Sequence, residues 1–180
     1  MKLSLYPALA AALLGAATIG NQKSGSPLAI QAVAANAQNI NGDPLTLEEI
    51  IANSETIFSG VCTKVEKFEK DPKTKLSTIE FTFKIAKGFQ GVMSGETKFK
   101  QYGLISRLPV YEVGKKYVLF LSPPSKYGLT SPVGGNNEGC FEVRKDETTK
   151  EESVIYEGNE IEYGKFLQTI QDISDKKKTK

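Results

Sequence analysis

Thr78-Ile79-Glu80-Phe81-Thr82-Phe83-Lys84-Ile85-Ala86 is the stretch whose reading decides the fold. Ile79, Phe81, Phe83 and Ile85 recur at every second position, separated by Glu80, Thr82 and Lys84, with Ala86 following. A period of two puts the four large side chains on one face of a strand, packed against a core, and the others on the opposite face. Gly88, Gly91 and Gly95 end the run.

Working outward, the turn Asp71-Pro72-Lys73-Thr74 separates this strand from an earlier one, Thr56 to Phe68. There Ile57, Ser59, Val61, Thr63 and Val65 alternate with Phe58, Gly60, Cys62 and Lys64, and Gly60 marks a bend or bulge. Before it, Thr46-Leu47-Glu48-Glu49 fits a capping box opening a short helix that ends near Asn53, with Leu47, Ile50 and Ile51 on one face. On the other side, Thr97 to Tyr102 reads as a third strand. Tyr117-Val118-Leu119-Phe120-Leu121 is apolar on both faces, which makes it the most buried strand, and Pro123-Pro124 stops it. An edge strand at Leu129 to Val133, a strand at Cys140 to Lys145 and a short one at Val154 to Tyr156 follow. From Glu160 to Ser174, Phe166, Leu167, Ile170 and Ile173 stand at helical spacing, led by Tyr163.

Five or six short antiparallel strands with a helix before the first and another after the last predict a mainly β protein. A small OB-like barrel with both helices packed on it fits best, and a two-sheet β-sandwich is the alternative. The domain spans 45–174. Residues 175–180 form a disordered basic tail, and 38–44 are a flexible lead-in.

The first 37 residues read differently. Lys2 precedes an Ala/Leu-rich run through Leu14, trailing into Gly15 and Ala17, as in a secretory signal peptide. Ala35-Asn36-Ala37 fits a cleavage site, and an earlier cut near 17–20 is the rival. The reading therefore places the protein outside the cytoplasm, secreted or in the periplasm and cell envelope, touching a membrane only during export. Cys62 and Cys140 are the only cysteines, and an even pair in an oxidising compartment predicts a disulfide.

Composition excludes more than it assigns. The chain has no histidine, which removes the usual general base, the commonest zinc ligand and the partner of Ser or Cys nucleophiles. Of 23 Lys and Arg, Lys2 and Lys23 precede Gln38, leaving 21 against 21 Asp and Glu. That balance, with Arg107 and Arg144 as the only arginines, argues against nucleic acid as a partner.

Three sets of residues are candidates for function. Tyr102, Arg107, Tyr111 and Tyr127 lie in segments flanking the third and fourth strands, where OB-like barrels bind ligands. Asn136 and Asn137, with Glu138, form a loop rich in side-chain oxygens but without the spacing of a calcium loop. The carboxylate pairs Glu48/Glu49, Asp146/Glu147 and Glu151/Glu152, with Glu157, Glu160 and Glu162, are adjacent in sequence rather than opposed across a cleft, as glycoside hydrolysis requires.

The segments Ala52 to Val61, Phe81-Thr82-Phe83 with Lys87-Gly88, Val113 to Leu121 and Gly139-Cys140-Phe141-Glu142-Val143 resemble those of a loose group of exported bacterial proteins of unknown function. Their barrel is similar to the OB-like domain of netrins and the tissue inhibitors of metalloproteinases. The likeness covers about Leu45 to Val143 and implies fold only. Those inhibitors chelate zinc through an N-terminal cysteine, whereas here no cysteine precedes Cys62. The expectation is an exported, monomeric, non-enzymatic binding or accessory module for an extracytoplasmic protein or ligand, with no cofactor or metal. A secreted protease inhibitor or carboxylate-dependent hydrolase is the alternative.

Overall fold

The computed structural model describes residues 44–103 and 111–178. Its elements are α1 (Leu47–Ala52), β1 (Thr56–Phe68), β2 (Thr78–Gln90), β3 (Glu96–Tyr102), β4 (Lys116–Leu121), β5 (Cys140–Lys145), β6 (Glu152–Tyr156), β7 (Asn159–Glu162) and α2 (Tyr163–Lys178). The strands form one antiparallel sheet in the order β3-β2-β1-β4-β5-β6-β7. The fold is mainly β, as the alternation in β2 requires. There are seven strands rather than five or six, and they form an open run, not a barrel closed by a strand ladder.

Two cores lie on the two faces of the sheet. On one face Phe58, Cys62, Phe81, Phe83, Phe99, Tyr117, Leu119 and Leu121 close around Tyr111. On the other, Ile57, Val118, Phe120, Phe141, Val143 and Val154 are covered by Leu47, Ile50 and Ile51 of α1 and Phe166, Leu167 and Ile170 of α2. β4 feeds both cores, so all but its first residue are buried. Each such apolar side chain contributes roughly 1.5 to 3 kcal/mol when fully buried.

β1 changes faces partway along. Its register with β2 shifts between Ile57 and Phe58, between Ser59 and Gly60 and between Cys62 and Lys64. The second shift falls at Gly60, where an added Cβ would lie 2.7 Å from the Lys84 carbonyl oxygen. The third drops Thr63 out of the pairing, so Val65 joins Phe58 and Cys62 on the aromatic side rather than Ile57 on the other.

The capping box forms as expected. Thr46 Oγ1 accepts from the Glu49 backbone N–H, and Glu49 accepts from the Thr46 N–H. The Thr46 N–H and the Thr46 hydroxyl both donate to the Glu49 carboxylate, which favours its ionised form and holds its pKa below the ordinary range. At the other end of the chain two boundaries differ from expectation. Glu157 (φ 50°) and Gly158 (φ 75°) form a two-residue turn that pairs Val154 with Ile161, so residues 159–162 are a strand and α2 begins only at Tyr163. α2 then runs on through Lys178, where a disordered tail was expected, and the Lys177 ammonium reaches the Ala52 carbonyl oxygen at the end of α1 at 3.5 Å.

Residues 122–139 leave β4 and return along it. Leu121 bridges Pro132, Val133 N–H donates to Phe120 O, and Phe120 N–H donates to Gly139 O. The returning chain therefore runs antiparallel to β4 on both sides of residues 134–138, which are pinched off by the bond from Gly139 N–H to Val133 O. Farther back, Leu129 bridges Lys100 of β3 in parallel, and Thr130 N–H donates to Lys100 O at 2.9 Å.

Candidate functional site

The register fixes which loops share an end of the sheet. Ile57 at the start of β1 stands opposite Gln90 at the end of β2, and Thr56 opposite Leu121 at the end of β4. The turn 91–95 and the loop 122–128 therefore leave the sheet side by side, and 134–138 emerges one residue from the end of β4. Among the described residues, Met93, 68 % exposed, and Tyr127, 49 % exposed, are two of the four large hydrophobic side chains most open to solvent.

These loops are held by their own hydrogen bonds. Ser125 Oγ accepts from the N–H groups of Tyr127 and Leu129, and Ser125 N–H donates to Leu129 O. The Lys126 ammonium lies 5.1 Å from the centre of the Tyr127 ring. Gly91 (φ 74°) lets its turn pack on Glu55 and Thr56, where a Cβ would lie 2.8 Å from the Glu55 carbonyl oxygen. Asn137 has φ 63° and its carbonyl accepts from Cys140 N–H, while the Glu138 carboxylate folds against Gly134. Asn136 is exposed.

The tyrosines grouped by sequence do not share a site. Tyr127 lies in the loop that leaves the end just described, two residues before Leu129, which bridges Lys100 of β3. Tyr102, half-buried, pairs with Thr78 at the opposite end, and Arg107 lies outside the described residues. Tyr111 is not a surface residue: at 1 % exposure it is ringed by Phe81 at 4.7 Å, Tyr117 at 5.2 Å, Phe83 at 5.3 Å and Phe99 at 5.8 Å. Its hydroxyl accepts from buried Gln101 Nε2 at 3.3 Å, and burial pushes its pKa well above 10. Four rings from β2, β3 and β4 surround that of Tyr111, and that packing is the reason the residue is inside.

The expected Cys62–Cys140 disulfide is not made, and both cysteines are free. Cys140 stands opposite Leu119 of β4, whereas Cys62 N–H donates to Lys115 O on the other edge of that strand. One strand lies between them, and their positions along it differ by four residues, about 13 Å at strand rise. A disulfide needs Cα atoms within about 7 Å. Both thiols border the aromatic core, where burial raises the pKa of Cys62 and pushes that of Cys140 up to about 12, so neither is an activated nucleophile.

A group that sequence reasoning missed lies at the Tyr102 end. Asp71, fully buried, accepts from the N–H groups of Lys73 and Thr74, from Thr78 Oγ1 and from the Lys100 ammonium. The Lys100 contact, followed by the turn N–H groups, holds its carboxyl far below the usual range. Lys100 also pairs with Glu80 at 3.6 Å and covers the Phe68 ring. Asp-Pro at a turn signals the bend, but no local pattern announces a partner 29 residues away.

The carboxylate clusters serve structure. Glu152 accepts from Lys116 Nζ with both oxygens at 2.7 Å, Glu162 pairs with Lys165, and Asp146 accepts from Thr148 and Thr149 N–H in its own turn. Glu151, Glu152 and Glu162 border an open groove with Lys145, Lys150 and Tyr163. The carboxyls whose pKa is displaced, those of Glu49, Asp71 and Asp146, all move down, opposite to what a general acid needs. Among the described residues no three His, Cys, Asp or Glu side chains cluster to hold a metal, and no helix is long and apolar enough to cross a membrane.

No protein-family model matches the chain, and no curated protein resembles it in sequence.

Proposed function

We propose that this chain is an exported, non-enzymatic binding module, monomeric on its own, whose sheet curls into an OB-like barrel similar to that of netrins and the metalloproteinase inhibitors. Its partner is an extracytoplasmic protein that docks on the end of the barrel carrying Met93, Tyr127 and Asn136. One observation carries the reading: three loops leave the sheet at the same end, and two of them carry exposed large apolar side chains, Met93 and Tyr127. Exposed aromatic and thioether side chains on ordered loops bind at low conformational cost.

Two further observations support it. The parallel contact of 129–130 with β3 and the antiparallel contact of 131–133 with β4 have the connectivity that closes an OB-type barrel. The N-terminal run from Leu3 to Leu14 supports export.

The test is a photo-crosslinking amino acid placed in turn at Met93, Tyr127, Tyr102 and Val113, with the protein expressed in its own host and the envelope fraction analysed. Adducts from positions 93 and 127, lost when Tyr127→Ala is combined with the probe at 93, are the expected result. Adducts confined to positions 102 and 113, at the other end, contradict the assignment. A hydrolase activity abolished by a single carboxylate substitution would overturn the non-enzymatic reading.

A further inference from the structure

The contact between β3 and residues 129–130 is thin beside the ladders that join β3, β2, β1 and β4. It consists of one backbone hydrogen bond, Thr130 N–H to Lys100 O, and the single parallel bridge Lys100–Leu129. Parallel pairing is also the weaker kind per residue. The ladder between β1 and β2, by contrast, runs the length of both strands.

Each bank of this seam is anchored without the other. β3 is paired with β2 from Glu96 to Tyr102, and Lys100 is tied from outside by Asp71 and Glu80. The strap 122–133 is closed on itself by Ser122 N–H to Ser131 O, Ser122 Oγ to Ser131 O and Thr130 Oγ1 to Ser122 O, and it is tied to β4 by the Leu121–Pro132 bridge and by Val133 N–H to Phe120 O. Breaking one bond between two banks that keep all their others is a local event.

We propose that the strap parts from β3 in the folded protein while remaining on β4, a sub-global opening built into the fold. Behind the seam lie Phe99, next to Lys100 on β3, and Leu121, which bridges the strap, with Tyr111 beyond them. The opening gives solvent, or a small apolar ligand, a path to that aromatic core. It is independent of the partner assigned to the loop end, but it rests on the contact that supports the OB-like closure.

Site-resolved amide exchange of the full chain across a urea series tests this. Thr130 reports the seam, Val133 the strap's hold on β4, and Phe83 the central sheet. The expected result is that Thr130 is protected but exchanges at least about tenfold faster than Val133 and Phe83, with little urea dependence, while those two share the steep slope of global unfolding. Equal protection and slope at all three overturns the opening, as does equally fast exchange at Thr130 and Val133. A Thr130 amide as unprotected as in a free peptide removes the contact itself, and with it the OB-like closure.

Discussion

Tyr111→Ala separates a packing residue from a ligand residue. The ring sits within 6 Å, centre to centre, of four others and is 1 % exposed, so truncation removes a fully buried aromatic. Such deletions cost about 3 to 5 kcal/mol. The hydroxyl is also a hydrogen-bond partner of Gln101, itself 1 % exposed, and an orphaned buried amide adds about 1 to 3 kcal/mol. Together, at about 4 to 8 kcal/mol, these are a large share of the roughly 5 to 15 kcal/mol that holds a domain folded. Tyr111→Phe keeps the ring contacts and costs only the orphaned amide, about 1 to 3 kcal/mol. The assay is urea unfolding followed by circular dichroism, with the slope checked so that midpoints report stability. Midpoints in the order wild type, then Phe, then Ala far below are expected. An Ala variant within about 0.5 kcal/mol of wild type, the range of ordinary surface changes, refutes the reasoning.

Other outcomes follow from the same contacts. Ser174 Oγ is buried with no hydrogen-bond partner among the described residues, so Ser174→Ala in α2 should raise the thermal midpoint, by about 1 kcal/mol in stability; a drop of that size contradicts it. Thr46→Ala should cost about 1 kcal/mol by removing the N-cap of α1, and Thr46→Ser should restore it. Asp71 has a lowered pKa when folded, so its contribution is present above the unfolded value near 3.8 and lost as pH falls below it. Asp71→Asn should therefore be less stable at neutral pH with a flatter acid limb, and an unchanged acid limb counts against the buried pair. Cys140 is displaced the other way, from 9.0 to about 12, so stability should be complete below pH 9 and fall as pH rises from there toward 12. Cys140→Ala should flatten that alkaline limb in a pH series of urea midpoints.

What the sequence disclosed was local. Ile79, Phe81, Phe83 and Ile85 reveal a strand because each needs only its neighbours in register, and Thr46 with Glu49 reveals a helix start because both partners lie within one turn. The bulge at Thr63 was illegible, since it is imposed by how β1 fits β2 and leaves no residue signature, and it reversed the side on which Val65 packs. Helical spacing assigned from Glu160 overlaps β7 because Asn159 to Glu162 lacks apolar alternation; Gly158 is the sign of a hairpin there. The cysteine pairing failed because counting cysteines ignores register, and β4 lies between them. Tyr111 was placed on the surface with its neighbours in sequence, but four rings distributed over β2, β3 and β4 draw it inside. Of the candidate site, Tyr127 and the Asn136–Asn137 loop both belong to the segment that follows β4, which no local pattern in the sequence reveals.

The binding reading stands on a sheet that curls until residues 129–130 meet β3, and backbone proton contacts in solution test this directly. The account predicts long-range nuclear Overhauser effects between Leu129 or Thr130 and Lys100 or Gln101, in the pattern of parallel neighbours. Effects from residues 131–133 to β4 alone, with none to β3, would leave the sheet open and contradict it.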